Sequence, residues 1–333
     1  MSEFRRRTRE DEERYEADYL APGATLSSQS RGRAIEESLD SHRTAFERDR
    51  DRILHSKAFR RLKHKTQVFI NPEGDHYVTR LTHTLQVTQV GRSIARNLSL
   101  NESLTEAICL AHDVGHSPFG HTGEDALSNY VEGEWLHSAQ GVRVFEVLEP
   151  LNLSWEVLDG IRAHSWKIAE PPATSEGFIC RFADRIAYLA HDVEDAIRAG
   201  VITLVDLPKL TVQRFGDPGR EWISAMVEAV VDESLTIGEV TMEVTALEAM
   251  NTLREFMFER VYLRPETEHT RRKIIGIVHD LVDYYLLHPD EIPSTYRHPG
   301  SDVMTQVVDY VAGMSDRFAL KMHDDLFRPR LFD

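Results

Sequence analysis

Residues 111–124 read AHDVGHSPFGHTGE, and residues 190–193 repeat the first four letters, AHDV. The two copies sit in different helical contexts. In the first, Leu104, Ala107, Ile108 and Ala111 form an apolar stripe behind a cap at Asn101 or Ser103, which predicts a helix over 102–113. Gly115 weakens that helix, and Pro118 biases Ser117 away from helical dihedrals. His112 and Asp113 therefore fall in the last turn, where the chain bends away and neighbouring side chains can converge. Inside a helix, adjacent side chains point about 100° apart. The pair His191-Asp192 has no breaker after it and lies within a predicted helix over 176–199. On that helix Phe178, Phe182, Ile186, Leu189 and Val193 share one side, and Asp184, Tyr188, His191, Asp192 and Asp195 share the other.

Helical periodicity extends outward from this region. Segments 80–98, 138–149, 154–164, 220–233, 242–262 and 268–287 also carry apolar residues at helical spacing. The breaks hold Gly or Pro: NPEGD at 71–75, EPPATSEG at 170–177, GDPG at 216–219 and HPDEIP at 288–293. Strand signals are weak, so the fold class is all-α. The expected organisation is a flexible N-terminal arm over 1–30, a helical core over 31–205 and a helical C-terminal region over 206–333. The last part should hold one further helix near 301–312 and a strap.

The chain has 333 residues, 41% hydrophobic and 28% charged, as in a globular protein. No apolar run approaches a membrane span. The N-terminus is charged from the start, with no apolar leader core, and Cys109 and Cys180 lie in apolar stretches. Both observations point to a reducing, cytoplasmic setting. A net charge of −16 argues against general coating of nucleic acid. Residues 43–65 nevertheless hold nine Lys or Arg against three acids. Such a run is ordinarily a solvated helix face, and here it leads directly into the motif region.

His83 opens THTLQVTQVGRSIARNL. It shares a stripe with Val87, Val90, Ile94 and Leu98, with Arg80 one turn earlier. A histidine on an apolar stripe is more often a hydrogen-bonded core residue than a ligand. His83 is one of four such candidates, with His112, Asp113 and Asp184. Together they offer two imidazoles and two carboxylates, a mixture suited to one divalent ion such as Mn, Fe, Ni or Mg. His116, His121 and His137 crowd the same region, as a phosphoryl reaction beside a Lewis acid would use them. HDVGH also imitates the zinc-protease pattern H-E-x-x-H. However, Asp replaces the Glu base, and Gly115 with Ser117-Pro118 breaks the helix that motif needs.

His83, His112-Asp113 and Asp184 resemble the H…HD…D signature of HD-domain phosphohydrolases. The stretches SKAFRRLKHKTQVF (56–69), RLTHTLQV (80–87), AHDVGHSPFGHTGE (111–124) and ADRIAYLAHDVEDA (183–196) are more specific. They resemble the bacterial deoxyguanosinetriphosphate triphosphohydrolase-like proteins, relatives of the mammalian SAM-and-HD-domain dNTPase. SRGRAIEES at 30–38 fits the same pattern.

The resemblance implies hydrolysis of a dNTP to a deoxynucleoside and inorganic triphosphate, with the metal on His83, His112, Asp113 and Asp184. By the same analogy His137 transfers protons, supported by His121 and Glu124. Arg80, His116 and Arg185 would contact phosphates, Tyr188 and Asp192 the sugar 3′-hydroxyl, and Gln67 and Val68 the deoxyribose. Arg260 and Tyr262 would contact phosphate or base. The basic run would face the polyanionic substrate, and part of it would bind a regulatory dNTP at a subunit interface. The family's habit is the homo-oligomer, tetramer or hexamer. The competing readings are another HD-type nucleotide phosphohydrolase, either a phosphodiesterase or a nucleoside-monophosphate phosphatase, and a non-catalytic module binding nucleotide or single-stranded DNA.

Overall fold

The computed structural model describes residues 4–67 and 77–329. Among them the fold is all-α: fifteen α-helices and short 3-10 and π turns, with only two isolated β-bridges, Arg33 to Ser154 and Thr66 to Thr79. Among the described residues no helix is long and apolar enough to cross a membrane. The chain forms two compact units. The first comprises Met1–Ser56, Thr84–His112 and Leu151–Val261, and the second Lys57–His83, Asp113–Pro150 and Tyr262–Asp333.

The first unit is built around the helix Glu102–Ala111, whose residues from Leu104 to Ala111 are buried except Glu106. A helix buried on nearly every face needs neighbours all round. They are Ala45–His55, Trp155–Ala163 and Ser175–Arg198. Asn101 caps its start by accepting from Leu104 N at 3.1 Å, and the Asn101 side-chain amide donates to Glu16 on the helix Arg9–Tyr19 at 3.1 Å. Gly160 is where Trp155–Ala163 crosses it. A Cβ there would lie 2.5 Å from the Ile108 Cδ1. The helices Lys209–Phe215, Arg220–Ile237 and Val244–Met257 complete this unit.

The second unit centres on Glu268–Leu287, packed against His121–Leu127, Val303–Ala312 and Asp316–Phe327. Its core includes Phe119, Trp135, Val278, Leu281, Tyr285, Val307 and Val311. The final helix stands where a strap was expected. Ser315 caps it by accepting from Phe318 N. The helices His137–Arg143 and Val244–Met257 each continue into a π-helical turn, Val144–Leu148 and Phe258–Tyr262.

Gly160→Ala should destabilise the protein by about 1–3 kcal/mol through overpacking against Ile108. Denaturant unfolding will measure it. Combining it with Ile108→Ala should cost less than the two single changes added together, and additivity would refute the contact.

Candidate functional site

Each unit carries part of the chemistry. In the first, His112 ends the helix Glu102–Ala111, and its Nδ1 donates to the Cys109 carbonyl at 2.7 Å. That bond places a proton on Nδ1 and leaves Nε2 facing Asp184 Oδ1 at 3.7 Å, too long for a hydrogen bond. Two ligands of one ion, each bonded at about 2.1 Å, lie up to about 4.2 Å apart, so the pair fits a shared cation. A ligating imidazole also ordinarily donates its other N–H to a carbonyl, as this one does.

Asp184 lies on Ser175–Arg198, which also carries Arg185, Tyr188 and Asp192. Arg185 stacks 4.2 Å from the Trp166 ring centroid and donates to Asn251 Oδ1 at 3.1 Å. Burial, opposed by Arg185, pushes the Tyr188 phenol up to about 12. Asp192 is buried, whereas the adjacent His191 is half-exposed and bonds the Ala187 carbonyl through Nδ1 at 2.7 Å.

In the second unit, Asp113 accepts from Arg80 Nη1 at 2.8 Å through Oδ2 and lies 3.0 Å from His116 Nε2 through Oδ1. His83 Nε2 lies 3.9 Å from Asp113 Oδ2, the same ligand-to-ligand spacing. His116 Nδ1 meets Glu124 Oε1, and His137 Nδ1 lies 3.2 Å from that same oxygen. The His116 and His137 rings stack at 3.8 Å and 12°. His121 contacts the other Glu124 oxygen at 3.1 Å and is exposed. The result is a buried relay, Asp113–His116–Glu124–His137. Asp113, His116 and His137 also offer ligand atoms within 4.8 Å of one another, so His/Asp clusters that could hold a metal ion occur here as well. Burial, reinforced by the neighbouring His116, depresses His137 to about 4. Burial pushes the Glu124 carboxyl up, but the two imidazoles outweigh it and hold it well below the ordinary carboxylate range.

Gln67 leaves a buried Oε1 without a hydrogen-bond partner among the described residues. Val68 lies outside the described residues. Arg260 is exposed, its guanidinium 6.0 Å from the Phe256 ring and near Asp206, and Tyr262 is half-buried in the second unit. Arg254, one turn beyond Asn251, acts electrostatically on both Arg185 and Tyr188. Neither Asn251 nor Arg254 stands out in the sequence, though their i,i+3 spacing marks a polar face. His164 is a second unforeseen residue. It is buried, repeats the Ala-His helix ending of His112 with its Nδ1 on the Ile161 carbonyl at 2.7 Å, and its ring lies 5.2 Å from that of His112.

Much of the basic run is neutralised within the chain. Arg43 pairs with Asp40 and Asp51, Arg48 and Arg52 with Glu37, and Arg50 with Asp51. Lys65 is buried.

His137 titrates at about 4 in the folded protein, against about 6.5 for an unperturbed imidazole. Between these values the unfolded chain binds more protons, so stability falls as pH drops from about 6.5 to about 4. His137→Asn should flatten that part of the stability–pH curve in chelator-treated protein. An unchanged slope would refute the assignment.

Comparison with known proteins bears on this geometry. The HD domain family matches residues 80–189, and the phosphohydrolase-associated domain matches 240–325. A deoxyguanosinetriphosphate triphosphohydrolase-like protein of Caldanaerobacter subterraneus is 47% identical over 97% of this chain and 96% of its own. One so named from Desulfatibacillum aliphaticivorans is 42% identical over 96% and 98%. A crystal structure of a phosphohydrolase from Bacteroides thetaiotaomicron shares the fold at 18% identity, with a TM-score of 0.52 over 83% of this chain and 68% of that one. The chain is a hydrolase of phosphoric esters and belongs to the deoxyguanosinetriphosphate triphosphohydrolase-like family of HD-domain proteins.

Proposed function

We propose that the protein hydrolyses a deoxynucleoside triphosphate to the deoxynucleoside and inorganic triphosphate. The observation that carries this reading is the buried relay Asp113–His116–Glu124–His137 with Arg80 bound to its first member. It supplies a neutral base, a route for the proton and a cation for phosphate. The names of the relatives, at up to 47% identity over nearly the whole chain, favour the triphosphate as substrate.

In this reading His83, His112, Asp113 and Asp184 hold one divalent ion, Mn, Mg, Fe or Ni. Two ligand-spaced pairs, His112 with Asp184 and His83 with Asp113, are joined by the peptide bond between residues 112 and 113. Their Cα atoms are therefore only about 3.8 Å apart. When bound, such an ion polarises a phosphoryl oxygen and acidifies water.

The chain's own residues do the rest. Water attacks the α-phosphorus, the bond to the sugar 5′ oxygen breaks, and that oxygen takes up a proton. Burial keeps His137 neutral, so it accepts the proton of the attacking water, and ionised Glu124 steadies the imidazolium that forms. Arg80 and Arg185 neutralise phosphate oxygens. Tyr188 stays protonated at any physiological pH and donates to the sugar, with Asp192 accepting its 3′-hydroxyl. Gln67 Oε1 is a buried acceptor for the same sugar edge.

Incubation with single dNTPs and with mixtures should yield nucleoside and triphosphate. Monophosphate with pyrophosphate would place the protein among other HD phosphohydrolases. Tight binding without turnover would make it a nucleotide-binding module. His112→Ala and Asp113→Ala should each abolish metal binding, and full metal occupancy in either purified variant would refute the ligand set. Asp192→Ala should keep its metal and raise KM about tenfold, the loss of one charged hydrogen bond. Lost metal there would mean that Asp192 is the ligand.

A further inference from the structure

Phe119 sits in the loop that follows His116 with φ +63°, a left-handed conformation costly for a bulky side chain. Such a conformation persists only where the surroundings hold it. The Phe119 ring is buried in the core of the second unit, and its backbone N–H donates to Asp316 Oδ1 at 2.9 Å. Asp316 Oδ2 accepts from Thr66 N at 2.9 Å and from the Thr66 hydroxyl. The preceding residue, Lys65, donates through Nζ to the carbonyls of His116 and, at 3.2 Å, of Ala312. Lys65 and Asp316 are 2% and 4% exposed.

The Lys65 carbonyl also accepts from Arg80 N at 3.1 Å. A cavity of about 100 Å³ is lined in part by Arg61, Lys65, Gly115 and Asp309. The helix of His137 is held from Val303–Ala312, the helix preceding that of Asp316. Asp309 accepts from Gln140 Nε2 at 2.9 Å and Arg143 Nε at 2.8 Å, both on the helix that His137 begins.

We propose that Asp316 is a positioning residue for the proton relay. Through Phe119 N–H and the Lys65-Thr66 pair it fixes the His116 loop, as Asp309 on the neighbouring helix holds the helix of His137. The C-terminal region thereby sets the register of the two stacked imidazoles. This rests on the catalytic role proposed above for His116 and His137.

The test uses the full-length, metal-loaded protein. Asp316→Asn keeps the shape but turns one acceptor into a donor facing N–H and O–H groups. Asp316→Ala removes both acceptors. Relay geometry off by about an ångström costs up to about 10²-fold in rate. Asp316→Asn should lower kcat about tenfold with KM within about twofold, and Asp316→Ala about a hundredfold, at unchanged metal content. In both, the Phe119 amide should exchange with deuterium at least about tenfold faster than in the parent protein. A kcat loss that merely tracks the unfolded fraction, or no gain from Asn over Ala, would overturn the positioning role. So would an unchanged Phe119 exchange rate. If the unmodified protein turns over no nucleotide, the proposed reaction fails by itself, and amide exchange still decides whether Asp316 holds the loop.

Discussion

Gly115 lies so close to the His137 carbonyl and the Gly141 backbone that no side chain fits between them. This contact brings the start of one helix against the loop leaving another, and the stacking of His116 on His137 follows from it. The glycine that ends a helix in the sequence thus has a second use, letting two backbones touch. Gly120, with φ +58°, then turns the chain so that His121 and Glu124 open the next helix. The His137 end of the relay depends on that approach, and the Glu124 carboxylate is stabilised by the imidazoles it brings close.

Burying so many ionisable groups is costly unless each finds a partner. The second unit meets this with short chains of compensation: Arg80 on Asp113, His116 between Asp113 and Glu124, Arg143 on Asp309. In the first unit Arg33 is paired with buried Asp49, and Arg52 with Glu37. Much of the basic run over 43–65 is therefore held in ion pairs within the chain. An overall charge of −16 is compatible with a polyanionic substrate because only the local field at the site has to be positive.

The helices were legible because their apolar residues recur at helical spacing over long stretches. The expected segment 80–98 became Arg80–Asn97, and 176–199 became Ser175–Arg198. The final helix, Asp316–Phe327, was not, since its apolar residues Phe318, Ala319, Leu320, Met322, Leu326 and Phe327 alternate with charges around the helix and leave no single clean stripe. Lys65 and Asp316 read as ordinary surface charges. Their burial comes from partners 51, 247 and 250 residues away in the chain, which no local pattern encodes. Arg254 and His164 escaped notice for the same reason.

The sequence by itself determined the all-α class, the family and the identity of the His-Asp doublet that ends its helix, because periodicity, breaker residues and adjacency are local properties. It also distinguished the two AHDV copies, since one is followed by Gly and Pro and the other is not. Only the tertiary structure decided which ring nitrogen of His112 donates to a carbonyl, which carboxylate joins His116 to His137, and which cation pairs with Asp113. Those outcomes depend on distances of a few ångströms, set by how buried helices pack.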